Sequence, residues 1–325
     1  MDNIIDQTVN QNVSEPIDKS RFEWVGPNAN DSESINRPAT SYWKDAMKRL
    51  SKNKAAMISL IVIILILLLA IIVPMISPYT MSEQHYGHTS EGIGFVDPDD
   101  GHVHIFGTDK LGRDIFTRVW SGARISLFIS FTAVFVNVII GIIYGGISGY
   151  IGGAVDNAMM RIIEIINGIP YLIVVILLMM VLEPGVMTMV VAYAAVGWTG
   201  MARLVRGQIM SLKQQDYVVA AKVMGAKPGR IIFKHLIPNT LSVVIVNITL
   251  AIPSAIFTEA FLSYIGLGVQ IPIASWGTLA NDGSKVFQMY PSQLVIPAVC
   301  ISLTMLSFNL LGDGLRDALD PKLRR

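Results

Sequence analysis

DYVVAAKVMGAKPGRIIFKHLIPN, residues 216–239, is the stretch on which the reading of this chain turns. Tyr217, Ala220, Ala221 and Met224 recur at i, i+3, i+4 and i+7, the spacing of a single helix face. Gly225 suits the left-handed residue that ends such a helix, and Pro228 suits the first turn of another. Pro238 closes the segment. The paired alanines keep the shared face flat, so another protein's surface can come close. The expectation is two short helices at an angle, small on one face and ringed by cations. Such a piece is a connector that a partner could push.

Apolar runs on both sides make this connector a loop between membrane spans. The 325-residue chain is 52% hydrophobic and 15% charged, with mean hydropathy +0.52; globular domains carry about 25% charged residues. A bilayer is crossed by about 20 apolar residues in a helix. Six spans are predicted, at 55–73 (ended by Pro74), 125–150, 155–182, 186–201, 240–262 and 292–312. Residues 260–281 are uncharged, but Gly266, Gly268, Pro272 and Gly277 interrupt them. They read as an outer loop with a re-entrant or surface-lying piece. The predicted fold is an all-α membrane protein of six transmembrane helices with a cytoplasmic coupling-helix loop.

Lysine and arginine placement orients the spans. Lys44, Lys48, Arg49, Lys52 and Lys54 precede span one and put the N-terminus in the cytoplasm. Six spans return the C-terminus, with Arg316, Lys322, Arg324 and Arg325, to that side. The loop 203–234 carries Arg203, Arg206, Lys213, Lys222, Lys227, Arg230 and Lys234 against a single Asp216. Lys110, Arg113, Arg118 and Arg124 are the exception, on the predicted outside. The expected location is the cell membrane, with lipid around the spans. Residues 1–40 are too polar to bury much surface and are predicted to be a disordered cytoplasmic tail. One membrane domain, 41–325, remains. Its first span reads as an uncleaved anchor. Cys300 is the only cysteine, which excludes an internal disulfide and any multi-cysteine metal site.

Three further groups of residues carry chemistry. The loop after span one reads HIFGTDKLGRD over 104–114, then Arg118, Gly122, Ala123, Arg124 and Ser126. Gly107 and Gly112 beside Asp109, Arg113 and Asp114 predict a tight turn held by charge-assisted hydrogen bonds. That turn is either a rigid external lip or a plain solvated loop. Arg161 and Glu164, three apart, are placed to pair on one helix face. Asn167, Gly168 and Pro170 follow as a bend. Glu259 lies near the outer end of span five, facing a partner subunit, a translocation path or internal packing; Arg161 and Glu164 are candidates for a gate or for packing in the same way. Gly141, Gly145, Gly149 and Gly153 make a groove for a close helix, within this chain or from a partner. His85, His88, His102 and His104 share the outer loop, and His-x-His can supply metal ligands. Without a Cys or a fixed third ligand, the sequence assigns no metal.

The connector resembles the EAA loop of permease subunits in ATP-binding-cassette importers. Ala220, Ala221, Gly225 and Pro238 match that pattern in type and spacing, while Val219, His235 and Ile237 stand where the family has Glu, Ile and Leu. FGTDxLGRD with GARxSL, and EAFLSYIGLGVQ over 259–270 followed by Ser275-Trp276-Gly277, resemble the oligopeptide, dipeptide and nickel permeases, most nearly the C-type oligopeptide permease. The resemblance implies a permease that imports oligopeptides by alternating access. It implies a second permease in a heterodimer, two ATPases that bind ATP and Mg, and an extracytoplasmic peptide-binding protein. On this reading Tyr217, Ala220, Ala221, Met224, Gly225, Pro228, His235 and Pro238 couple to the ATPases, and the 107–114 loop faces outward.

No GxxxxGK[ST] loop occurs, so ATP is not expected on this chain. Neither is an enzyme active site, since no Ser/His/Asp set has recognisable spacing, and the basic loop lacks the fold of a nucleic-acid module. The alternatives are a permease for dipeptides or nickel, a secondary transporter or channel without ATPases, and a membrane-anchored receptor.

Overall fold

The computed structural model describes residues 42–183 and 185–320. The predicted tail lies outside them, as do Lys322, Arg324 and Arg325. The chain divides between Lys44 and Asp45 into two units. Only Tyr42–Lys44 of the first unit are described, at the start of helix α1 (Tyr42–Leu50). The second unit carries the fold.

Helix α2 (Lys54–Ile76) starts at Asn53, whose side chain accepts the Ala56 N–H at 3.2 Å. Pro74 does not end it, as the sequence reading expected; the helix carries the proline inside its last turn and runs on to Ile76. Helix α3 (Ile115–Ile151) begins well before the predicted span. Asp114 caps it, accepting the Thr117 N–H at 2.7 Å. The early turns are polar but buried in protein, a placement that hydropathy cannot see.

The third predicted span is two helices, α4 (Gly153–Asn167) and α5 (Tyr171–Val181), bent by 74°. Pro170 has no N–H to give and disfavours helix at Ile169, so the bend falls at the residues singled out for one. The fourth is also a pair, α6 (Val186–Val196) and α7 (Trp198–Leu212), bent by 40° at Gly197. Helix α7 runs past the predicted end at 201 and leads into the connector.

After α8 (Asp216–Val223) the chain turns into one long rod. It comprises α9 (Pro228–Arg230), a π-helical stretch (Ile231–Leu236) and α10 (Ile237–Tyr264). Helices α11 (Trp276–Lys285) and α12 (Ser292–Leu319) complete the chain. The spans Lys54–Ile76, Ile115–Ile151, Pro228–Tyr264 and Ser292–Leu319 are each long and apolar enough to cross a membrane. The two bent pairs bring the number to six. An antiparallel hairpin, β1 (Phe95–Val96) with β2 (Val103–His104), and a single antiparallel bridge between Thr108 and Asp114 depart from all-α structure.

Helix α3 packs along α7 through the glycine groove. A Cβ at Gly145 would strike the Ala202 carbonyl oxygen, and one at Gly141 the Met201 side chain. Gly149 meets the Arg206 carbonyl oxygen in the same way. The groove is therefore filled by this chain's own helix. Gly153 takes no part; it sits at φ +57° at the start of α4 with nothing near it.

Candidate functional site

Helix α8 ends as its sequence predicts. Gly225, at φ +79°, donates to the Lys222 carbonyl at 2.9 Å, and Ala226 donates to the Ala221 carbonyl at 3.0 Å. These are the two bonds of a Schellman turn. Val218 and Ala221 anchor the helix, buried with Ile231, Ile232 and Leu236 nearby in the core. Tyr217, Val219, Ala220, Val223 and Met224 face outward, with Val223 and Met224 about as exposed as side chains can be, at 83% and 80%. The predicted face is thus split: Tyr217, Ala220 and Met224 share the open side, whereas Ala221 turns inward because the anchoring pair lies three residues apart. Lys222 sits 5.3 Å from the centre of the Tyr150 ring.

The second helix is not short. Pro228 starts it, as expected, but it continues unbroken to Tyr264. Pro238 does not close the segment either; it lies in the first turn of α10, exposed. A proline there deprives the helix of one N–H and crowds the carbonyl four residues back. The π-helical stretch just before it, which includes half-buried His235, is the usual form of such an accommodation.

An ion pair that sequence reasoning missed braces the connector. Arg206 on α7 donates from Nε and Nη2 to both Asp156 oxygens, at 2.5 and 2.6 Å. The Ser148 hydroxyl also bonds Asp156, and Lys213 Nζ donates to the Gly149 carbonyl at 2.8 Å. Asp156 is buried, so the pair ties the ends of α3, α4 and α7 together. Fifty residues separate the partners, and nothing in local spacing signals them. The pair that spacing did predict, Arg161 with Glu164, forms at 2.7 Å with both side chains largely exposed.

The loop between α2 and α3 folds into a cap. Gly107 (φ +79°) and Gly112 (φ +73°) bring its strands so close that a Cβ would collide with the Glu91 and His85 carbonyl oxygens respectively. Asp109 is the hub. It accepts from the Leu111 N–H at 2.8 Å, the Arg113 N–H at 3.0 Å and Arg113 Nε at 2.7 Å, and lies 3.5 Å from Arg118 Nε. Arg118 also donates to the Met81 carbonyl at 2.9 Å, and Lys110 reaches Asp282 at 3.6 Å. Three of the four cations that broke the orientation pattern are therefore paired with carboxylates.

Beneath this turn the histidines gather round Asp97, which the hairpin delivers. His85 Nδ1 is 3.0 Å from Asp97 Oδ2 and His104 Nε2 is 3.6 Å from it; His88 Nε2 is 3.6 Å from Oδ1. Tyr79 stacks on His104 with ring centres 4.3 Å apart. The Asp99 backbone N–H, at 2.8 Å, holds the Asp97 carboxyl below its usual range, helped by the neighbouring imidazoles and opposed by burial. Burial pushes the Tyr79 phenol up.

Residues 118–325 match the family described as binding-protein-dependent transport system inner membrane component. The chain belongs to that family. Residues 41–92 match the N-terminal TM domain of oligopeptide transport permease C. The chain is 50% identical over 309 residues to the oligopeptide transport system permease protein OppC of Bacillus subtilis (strain 168), covering 95% of this chain and 99% of that one. It is 51% identical over 296 residues to the dipeptide transport system permease protein DppC of the same organism, covering 91% and 90%. Against OppC of Salmonella typhimurium it is 45% identical over 295 residues, covering 91% and 96%. The resemblance read from the three motifs is borne out.

In this permease the third motif is buried at Glu259 and Trp276. Glu259 is fully buried and accepts from the Ser263 hydroxyl at 2.7 Å, with the Ser126 and Ser275 hydroxyls also against it. It lies inside the subunit rather than on a face open to a partner. Trp276, expected in an outer loop, is completely buried; its Nε1 donates to the Val119 carbonyl at 3.0 Å and its N–H to Ser126 Oγ at 3.1 Å. Helix α11 therefore packs inward against α3, α10 and α12. Its start is a capping box of Ser275 and Thr278.

Proposed function

We propose that this chain is the translocation subunit of an ATP-driven importer of oligopeptides. It works with a second, different permease, two ATPases that bind ATP and Mg, and a peptide-binding protein on the far side of the membrane, with both its termini cytoplasmic. One observation carries the coupling: α8 presents Tyr217, Ala220, Val223 and Met224 outside the membrane segments, on a helix locked by the Gly225 turn to a 37-residue rod. Exposed apolar patches of this kind mark interaction surfaces. When the ATPases close, a push on Met224 passes through the turn into Pro228–Tyr264. A stiff element transmits such a displacement, where a loose one would absorb it.

The match of residues 41–92 to the oligopeptide permease C domain supports oligopeptides as cargo. The 51% identity to a dipeptide permease supports dipeptides as the second reading. Uptake of labelled di- and oligopeptides by cells with and without the chain separates the two, the oligopeptide signal being the one expected to vanish. Gly225→Pro is expected to abolish uptake with membrane insertion intact, because proline cannot adopt φ +79°. Normal uptake by that variant would contradict the coupling. Ala221→Arg is a poorer probe, since it would strike buried packing before any partner.

A further inference from the structure

We infer that a cavity between α3, α7 and α10 binds the free carboxylate end of a peptide in transit. Arg203 takes the carboxylate, and Asn137 and Asn247 take the adjoining backbone amides. The inference rests on the peptide-import reading above and adds to it the chemical group that the membrane segments themselves recognise.

The cavity holds about 480 Å³ and is lined by Asn137 of α3, Gly197 at the bend, Gly200 and Arg203 of α7, and Asn247 of α10. That is within the range of small-ligand sites, roughly 300–1,000 Å³. All three helices belong to segments long and apolar enough to cross a membrane. Polar and charged groups are costly there and mark functional positions. Arg203 is the one charged residue among the described residues that line the cavity. It is exposed, and its side chain has no ion pair or hydrogen bond among the described residues. Asn137 Oδ1 is buried without a hydrogen-bond partner. A Cβ at Gly197 would strike Asn137 Nδ2, so the glycine leaves the amide its room at the bend.

These groups complement the end of a peptide. A guanidinium presents a planar fork that matches a carboxylate. A primary amide offers both a donor and an acceptor, as a peptide group does. Gly197, beside Asn137, lies about 9 Å along the helix from Arg203, the reach of two or three residues of extended chain. Every linear peptide with a free C-terminus carries such a carboxylate next to such amides, whatever its side chains, so the site reads the backbone rather than the sequence. An adjoining apolar cavity of about 380 Å³ shares Val134 and Val138 with the first and offers Phe131, Phe135 and Ile248 to cargo side chains.

The test is uptake by the assembled importer in vesicles, with one labelled pentapeptide supplied as the free acid and as the C-terminal amide. Wild type is expected to take the acid at least about tenfold faster, the scale of one hydrogen-bonded charge pair. Arg203→Gln is expected to bring the two rates together by slowing the acid, and Arg203→Lys, which keeps the charge without the fork, to fall between. A Cβ at Gly200 meets nothing within 4 Å, so a reporter fits there. With Cys300 replaced by Ser, Gly200→Cys is expected to be shielded from a thiol reagent by the acid and not by the amide. Equal uptake of both peptides by wild type would overturn the inference. So would an acid preference that survives in Arg203→Gln, because the peptide-binding protein would then be the part that discriminates. Loss of the second permease from purified Arg203→Gln would make the arginine an interface cation and overturn it as well. A wild-type importer that takes up neither peptide would fail one step earlier, at the import reading.

Discussion

The two ends of α3 solve opposite problems. At its N-terminal end the cap buries Asp97, Asp109, Arg113, Asp114 and Arg118, pairing Asp109 with the two arginines and Asp97 and Asp114 with histidines, so its charged groups find partners within the cap. At its C-terminal end, about 55 Å away along a 37-residue helix, the connector does the reverse. It anchors only Val218 and Ala221 and leaves Val223 and Met224 open among Lys213, Lys222, Lys227 and Arg230. A region that satisfies itself is a platform. A region that exposes apolar side chains outside the membrane segments is the surface we propose a partner covers.

Breaking the connector should have the largest effect. Val223→Asp with Met224→Asp is expected to remove co-purifying ATPase and nearly all uptake, because an apolar anchor at the centre of an interface carries about 2 kcal/mol or more. Insertion in the membrane should be unchanged. The cap should answer differently. Asp109→Asn strands the Arg113 and Arg118 cations in a buried site, a loss of about 3–5 kcal/mol, so limited proteolysis of 79–114 should accelerate while ATPase still co-purifies. If Asp109→Asn released the ATPase instead, the two ends would not be separable. The smallest effect belongs to Arg161→Ala. That exposed pair should change thermal stability by no more than about 0.5 kcal/mol and uptake not at all.

Much of this architecture was legible because it is local. Apolar run length gave the six membrane segments, and Gly225 and Pro228 marked the end of one helix and the start of the next. Asn167, Gly168 and Pro170 marked the 74° bend, although the span still read as continuous. What escaped was set by contacts between residues far apart in the chain. Arg206 finds Asp156 across 50 residues, and Trp276 finds Val119 across 157. The inward turn of Ala221 follows from the core beneath α8, not from its own spacing. The histidine cluster was half visible: His-x-His could be counted, but Asp97 reaches it only because the β1–β2 hairpin folds back.

The sharpest test is a crosslink. With Cys300 replaced by Ser, a single cysteine at Met224 is paired with single cysteines on the ATPase surface in the assembled importer. A matched series starts from Val103 in the cap. Crosslinking from position 224 that changes with nucleotide, and none from position 103, is the predicted result. Position 224 silent in every pairing, or both positions linking alike, would contradict the account.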